Sequence, residues 1–354
     1  EKIGHACIGC QFSADTDRNL FLMCIFCSVL SASVQPKRVL VICSHSETSD
    51  YAENMLSPLV ELSHNREDIR IFTAYLRMTS LSGVDELRER VHQIAEEFTP
   101  RPDLVVIVGG SGYMLADCIE KNWPGMPMVL AGENDYICPP DYTIRGIADD
   151  SVEHKPVAEL RPSDNMTLIY APVYVDRTIE LLKSLIPSLE NIYIVAGENY
   201  YSRQQQILFE KTLSEFYPSI HYELLLSTEM TTEQLIGRMQ YVNPEKDGVI
   251  FMSWLNHNDY MKNLFISNNV LRMIDDYAPV VSMSYCDLSS VKSTLGFWSF
   301  DFGAYNSALT STVLSVLDNG VQPRDMDFVT IKEGMPFVNV AALEKYNIPK
   351  KYAP

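Results

Sequence analysis

Short apolar runs alternate with amphipathic segments along most of the chain. Val39–Cys43, Ile69–Leu76, Leu104–Val108 and Met128–Ala131 are such runs. Between them lie segments with apolar residues at helical spacing: Asp50–Leu62 (Tyr51, Met55, Leu59, Leu62), Val84–Phe98 (Leu87, Val91, Ile94, Phe98) and Tyr113–Lys121 (Leu115, Ala116, Ile119). Unbroken apolar runs suit strands covered on both faces, and a parallel crossover needs a helix. Tyr142–Ala148 reads as a further short strand. The pattern then restarts, with helices over Asp176–Leu185, Ser202–Phe216, Thr231–Met239 and Asn263–Tyr277. Strands are predicted at Ile192–Ala196, Ile220–Leu226, Gly248–Ser253 and Pro279–Met283. Thr231 with Gln234 three residues on makes a capping-box start. A strand at Gly296–Phe300, a helix over Tyr305–Leu317 and an extended Asp327–Lys332 follow. The expectation is an α/β fold of two Rossmann-like lobes, each a parallel sheet flanked by helices, joined by a hinge. Glu153–Asn165, with two prolines and many charges, is the expected crossover. Lobe 1 would then span 36–160 and lobe 2 161–295, with 296–354 returning through the hinge to pack on lobe 1.

In open α/β sheets, ligands bind beyond the carboxyl ends of the strands. The stretch Asp103–Tyr136 shows two such ends. Leu104–Val108 stops at Gly109-Gly110-Ser111-Gly112, and Met128–Ala131 stops at Gly132-Glu133-Asn134-Asp135-Tyr136. The other strand ends carry Ser44-His45-Ser46-Glu47, Glu198-Asn199-Tyr200-Tyr201, Trp254 with Asn256-His257-Asn258, and Tyr285 with Asp287. Aromatic faces with fixed hydrogen-bonding groups suit a sugar or amino-acid-sized ligand. Taken singly, each fits a solvated loop; their joint position favours a ligand. The candidate ligand-binding residues are Ser44, His45, Ser111, Gly112, Glu133, Asn134, Tyr136, Glu198, Tyr200, Trp254, Asn256, Tyr285, Asp287 and Tyr305. Tyr305 enters through Asp301-Phe302-Gly303-Ala304-Tyr305, which opens a helix near the hinge; Asp301 reads equally well as its cap.

The glycine turn also tests two enzymatic readings. A nucleophile elbow requires Gly-x-Ser-x-Gly, and Tyr113 stands at the last position, which leaves a hydrolase built on Ser111 as a rival only. A dinucleotide fingerprint requires a third glycine where Leu115 stands. Free backbone N–H groups at the helix start suit an oxygen-bearing ligand instead, and a plain tight strand-to-helix turn reads equally well. No catalytic residue, metal ligand or cofactor is expected.

The chain has 354 residues and a formal net charge of -18. The length exceeds one ordinary core. The charge argues against nucleic acid as a partner, since phosphate binding requires a basic patch. Residues 1–35 read as a signal peptide or N-terminal extension. Leu20–Leu30 has the length of a secretory apolar core, and Ser31-Ala32-Ser33 suits cleavage near Ser33. A membrane anchor is the rival reading. Cys7-x-x-Cys10 and Cys24-x-x-Cys27 have zinc-knuckle spacing, but the second pair lies within the apolar run. Cys43 and Cys118 sit in apolar patterns as packed hydrophobes. Cys138 and Cys286 fall in loops, and spacing does not decide whether they pair. The seven histidines show no metal spacing.

Several segments, in order, resemble one family. They are Asp103–Val106 leading to Pro127–Gly132, Tyr174–Leu181 leading to Leu185-Ile186-Pro187, Phe302–Tyr305, Leu317–Pro323, Val338–Leu343 and Asn347-Ile348-Pro349. From about Lys37 to Pro349 the chain resembles the type I periplasmic-binding-protein fold. Within it, the chain looks like the ABC-transporter substrate-binding-like family that also supplies sensor domains to two-component histidine kinases. Arg38–His45 resembles the kinase-linked branch, whose first strand often ends in Ser followed by an aromatic residue or His. Transporter-linked relatives commonly carry a lipoprotein cysteine after the signal, and none follows Ser31-Ala32-Ser33. The resemblance implies two lobes closing on a sugar, amino acid or nucleoside, no catalysis, and a periplasmic or extracytoplasmic bacterial location. It implies a membrane kinase module or an ABC permease as partner, and homodimerisation is left open. On this reading the chain is the excised input domain of an inner-membrane protein.

Overall fold

The computed structural model describes residues 35–78, 81, 84–110, 112–133, 136–137, 155–156, 163–197, 200–256, 265–282 and 294–350. Residues 37–354 make one compact unit, distinct from Glu1–Pro36. The expected strand at Tyr142–Ala148, the N-terminal cysteines, Cys138 and Cys286 lie outside the described residues.

Two six-stranded sheets form the frame. The first is built from β1 (Lys37–Cys43), β2 (Ile69–Tyr75), β3 (Leu104–Val108), β4 (Met128–Glu133), β7 (Met166–Tyr170) and β15 (Val329–Thr330), in the order β15-β7-β4-β3-β1-β2. All its pairings are parallel. Short pairs β5 (Tyr136–Ile137) with β6 (Lys155–Pro156) and β11 (Leu255–Asn256) with β12 (Phe265–Ile266) stand outside the sheets. The second sheet contains β8 (Asn191–Ala196), β9 (His221–Leu226), β10 (Asp247–Phe251), β13 (Val280–Ser282), β14 (Gly296–Phe300) and β16 (Gly334–Val338), in the order β16-β14-β13-β10-β8-β9. Only β16, paired with β14, runs antiparallel in it.

The strand period of two sorts each run onto two faces. Leu40, Ile42, Val105, Ile107, Met128 and Leu130 pack on one side of sheet 1, with α2 (Val84–Glu97) and α3 (Gly112–Asn122). Val39, Val41, Cys43, Val106 and Val108 pack on the other, with α1 (Asp50–Asn65) and α8 (Phe302–Leu317). Sheet 2 is covered likewise. Ile192, Ile194 and Ile250 face α4 (Val175–Leu185), α5 (Tyr200–Phe216) and α9 (Val340–Lys345). Val195, Val249 and Phe251 face α6 (Thr232–Met239) and α7 (Ser267–Asp275). Helix starts are fixed locally. Thr231 and Gln234 form the expected capping box on α6, and Asp301 Oδ1 accepts from the N–H groups of Gly303 and Ala304 at 2.6 and 3.0 Å on α8. Asp301 is therefore a helix cap.

The lobe boundaries differ from the sequence expectation. Residues 153–165 are not the crossover, because β7 follows them and joins sheet 1 between β4 and β15. Its run Met166–Tyr170 is wholly buried, and burial on both faces needs the sheet interior. The chain crosses first at 171–174. It returns at Asp301, between β14 and α8, and crosses again at 331–333, between β15 and β16. So the segment from 296 does not simply pack back on lobe 1. β14, β16 and α9 belong to lobe 2, while α8 and β15 belong to lobe 1.

The three crossovers are tied together. The Tyr174 hydroxyl lies 2.9 Å from the Ile331 carbonyl and 3.0 Å from the Glu333 carbonyl. The Asp301 N–H donates to the Glu333 carbonyl at 3.0 Å, and the Ile331 N–H to the Tyr170 carbonyl at 3.2 Å. Gly334 is required by close approach: a Cβ there would lie 2.7 Å from Trp298 Nε1 and 2.8 Å from both the Ser299 carbonyl oxygen and the Tyr174 ring.

Candidate binding cleft

In a βα unit the helix runs back against its strand, so its N-terminus lies at the sheet's carboxyl edge. The first crossover passes from the carboxyl end of β7 to the start of α4, and the second from the carboxyl end of β14 to the start of α8. Each connection is short. The carboxyl edges of the two sheets therefore meet across the tied crossovers, and the residues just beyond the strands form the two walls of the candidate cleft.

On the lobe 1 wall, the ladder continues past the strand ends. The Ser44 N–H and hydroxyl both donate to the Val108 carbonyl, at 3.0 and 3.1 Å, and the Gly109 N–H to the Ala131 carbonyl at 2.9 Å. Gly109 has φ +110°, and a Cβ there would lie 1.9 Å from Ser44 Oγ and 3.2 Å from His45 Nε2. The glycine thus lets the β1 and β3 loops touch. The His45 ring stands edge-on to Tyr51, centroids 5.0 Å apart, and burial pushes it down to about 4, so it is neutral at pH 7. Tyr51 continues to Phe302 at 6.3 Å, Phe302 to Phe300 at 4.7 Å, and Phe300 to Tyr305 at 5.6 Å. A line of rings therefore runs from the cleft wall to the second crossover. At the rim, Arg77 Nε donates to Glu47 Oε2 at 2.9 Å. Cys43 and Cys118 are both buried and pushed up to about 11, chiefly by burial, as suits packed hydrophobes rather than nucleophiles.

On the lobe 2 wall, β8 ends at Ala196-Gly197 and β10 runs out into Met252-Ser253-Trp254. The Gly197 N–H donates to Ser253 Oγ at 3.3 Å, and the hydroxyls of Ser253 and Ser202, on the first turn of α5, are hydrogen-bonded. This knot of small hydroxyls at a helix start was not among the expected residues. The signal for it was present: Ser253 ends a predicted strand and Ser202 opens a predicted helix.

Of the expected residues, the structure brings Ser44 and His45 to the lobe 1 wall, with Gly112 buried at the start of α3 behind them. Glu133, Tyr136, Tyr200 and Asn256 are placed by backbone at the end of β4, in β5, at the start of α5 and in β11. Ser111, Asn134, Glu198, Tyr285 and Asp287 lie outside the described residues. Two expectations are corrected. Trp254 is 0% exposed in the core beneath α6 and α7, and its indole N–H donates to Thr232 Oγ1 at 3.0 Å. Tyr305 is 0% exposed on the α8 stripe that continues through Leu309 and Val313 onto sheet 1. Both rings are packing groups, because their elements turn them inward where a large apolar surface is best buried.

Among the described residues, no helix is long and apolar enough to cross a membrane. The chain matches no protein-family model. It matches no curated protein sequence. Solved structures do match it. A conserved domain protein from Vibrio cholerae superposes with a TM-score of 0.61 at 14% identity, covering 89% of this chain and 97% of that one. An ABC domain from Streptococcus pneumonia in complex with L-Trp gives a TM-score of 0.61 at 14% identity, covering 90% and 97%. An ABC transporter solute-binding protein from Bacillus halodurans with bound myo-inositol gives 0.52 at 12% identity, covering 90% and 99%. The fold of this chain is the two-lobed α/β fold of the type I periplasmic binding proteins.

Proposed function

We propose that this chain is an exported domain that binds a small molecule between its two sheets and closes on it, without catalysis, as the sensor input of a membrane histidine kinase. The observation that carries the binding reading is the junction of the lobes. Three crossovers, tied by the Tyr174 hydroxyl and the Asp301 N–H, leave two carboxyl edges free to approach each other while staying in register. A ligand touching both edges favours the closed arrangement by its differential affinity. The neutral His45 beside Ser44 on one wall and the hydroxyls of Ser202 and Ser253 on the other suit hydrogen-bonding ligands such as sugars, amino acids or nucleosides. The sensor role is supported by the Ser44-His45 end of the first strand, and a periplasmic location goes with it.

A second reading is a solute-binding protein feeding an ABC importer. It is favoured by the solved structures of similar fold, among them a solute-binding protein holding D-allose. One experiment tests what both readings share: thermal shift of the full chain against D-allose, myo-inositol, nucleosides and L-tryptophan, with small-angle scattering on any hit. Ligand at a hundredfold excess over Kd should add about 2.7 kcal/mol of stability, and the radius of gyration should fall. A hit without compaction would sink the closing mechanism. Ligand-dependent autophosphorylation of a kinase joined to the domain selects the sensor; ligand-dependent uptake through a permease selects the importer.

A further inference from the structure

The face that α5 turns to sheet 2 changes character along its length. Phe209 and Leu213 are 0% and 1% exposed and pack against the lobe 2 core. One and two turns earlier, the same face carries Gln205 and Ser202, both 0% exposed. Ser202 meets Ser253 at the strand-end edge. Gln205 meets nothing: neither its Nε2 nor its Oε1 has a hydrogen-bond partner. Ser299 Oγ, on β14, is also buried without a partner, but Gln205 leaves both ends of a carboxamide unpaired where other buried polar groups of this lobe find partners. Asp247 accepts from Asn191 Nδ2 at 2.7 Å and from the Asn243 N–H at 2.9 Å, and the Trp254 indole reaches Thr232. A buried carboxamide with both ends unpaired opposes folding, and an apolar residue of the same size would serve the core better.

Helical side chains lean toward the helix N-terminus, and Gln205 lies only roughly 4.5 Å along the axis from Ser202. By that lean the amide would face the end of α5 where Ser202, Ser253 and the Gly197 N–H gather. We infer that Gln205 is the specificity-determining residue of the lobe 2 wall, held unpaired for a neutral ligand that donates and accepts at adjacent positions, such as the neighbouring hydroxyls of a polyol. A carboxylate only accepts, and would leave Gln205 Oε1 without a donor. The inference rests on the cleft-binding reading and adds to it the residue that chooses the ligand.

The test is Gln205→Met in the full chain, with Gln205→Leu as the second variant should the first not fold. Melting temperature without ligand and titration with myo-inositol, D-allose and L-tryptophan are the readouts. Removing the unpaired amide should raise the ligand-free melting temperature by about 2–4 °C. It should weaken the polyol that binds the wild type by about tenfold or more. A raised melting temperature with unchanged polyol affinity would make Gln205 a packing defect and overturn the inference. A lowered melting temperature with unchanged affinity would overturn it too, by showing that the amide supports the fold. Binding of L-tryptophan but no polyol to the wild type would refute the inference and leave the cleft reading standing. Binding of none of the three would refute the inference, and a negative result with the nucleosides as well would remove the cleft reading.

Discussion

His45 and Asp275 titrate in the same pH range with opposite consequences. Burial holds the neutral His45 ring, bringing its pKa to about 4 from 6.5. The unfolded chain takes up that proton first, so the contribution is whole above pH 6.5 and is lost as pH falls toward 4. Burial raises the Asp275 carboxyl to about 6 from 3.8, against the pull of Lys345 and Tyr346. The folded state then binds the extra proton, and stability from this group grows as pH falls from 6 toward 4. At about 1.4 kcal/mol per pKa unit, each is worth at most ~3 kcal/mol, and less for the partly open His45. Melting curves between pH 4 and 7 should show His45→Asn flattening the acid loss and Asp275→Asn deepening it. Identical profiles for the two variants would refute the assignment. Neither shift is visible in the sequence, because it depends on what surrounds the group. The same limit explains Trp254 and Tyr305. A loop position says that a ring is near a strand end, but Thr232 under the indole and Leu309 along the α8 stripe decide that both rings point inward.

At the scale of elements, the pattern of runs was a reliable guide wherever it was strong. β3, with five fully buried residues, and the capped helices α6 and α8 stand where the periodicity put them. The crossover was misread because charge and proline mark exposed chain, not passage between lobes. The true first crossover, 171–174, is apolar and partly buried, since it lies in the junction itself. Its anchor is Tyr174, whose hydroxyl faces two carbonyls of the third crossover. Tyr174→Phe leaves the Ile331 carbonyl without that donor, while the Glu333 carbonyl keeps the Asp301 N–H. The expected loss is about 1–2 kcal/mol, read as a melting temperature lower by a few degrees. Scattering should also report a wider spread of lobe angles in the ligand-free protein. An unchanged melting temperature together with an unchanged scattering curve would show that the hydroxyl does not hold the crossovers.

For the molecule as a whole, the decisive fact is where each sheet ends in the chain. Sheet 1 begins at Lys37 and takes its last strand from Val329–Thr330, while sheet 2 begins at Asn191 and takes its last from Gly334–Val338. α8, from the late part of the chain, fills the core on one face of sheet 1. Neither lobe is a continuous piece, so they should unfold together. Calorimetry of the full chain should record one cooperative transition for residues 37–354, with equal calorimetric and van't Hoff enthalpies. Two resolved transitions would mean that the lobes are independent despite their shared strands.

The lateness of β15 and β16 also bears on how such a chain is made. Synthesised from its N-terminus, it reaches residue 300 with sheet 1 lacking its edge strand and one helical cover. The pairing of β15 with β7 and the packing of α8 beside α1 close only after almost the whole length is available, and such distant closures are slow. The growing chain therefore carries exposed strand edges for most of its emergence. The order of its strands delays the locked state until the end, and leaves the chain dependent on being held apart from its neighbours until its last strands are in place.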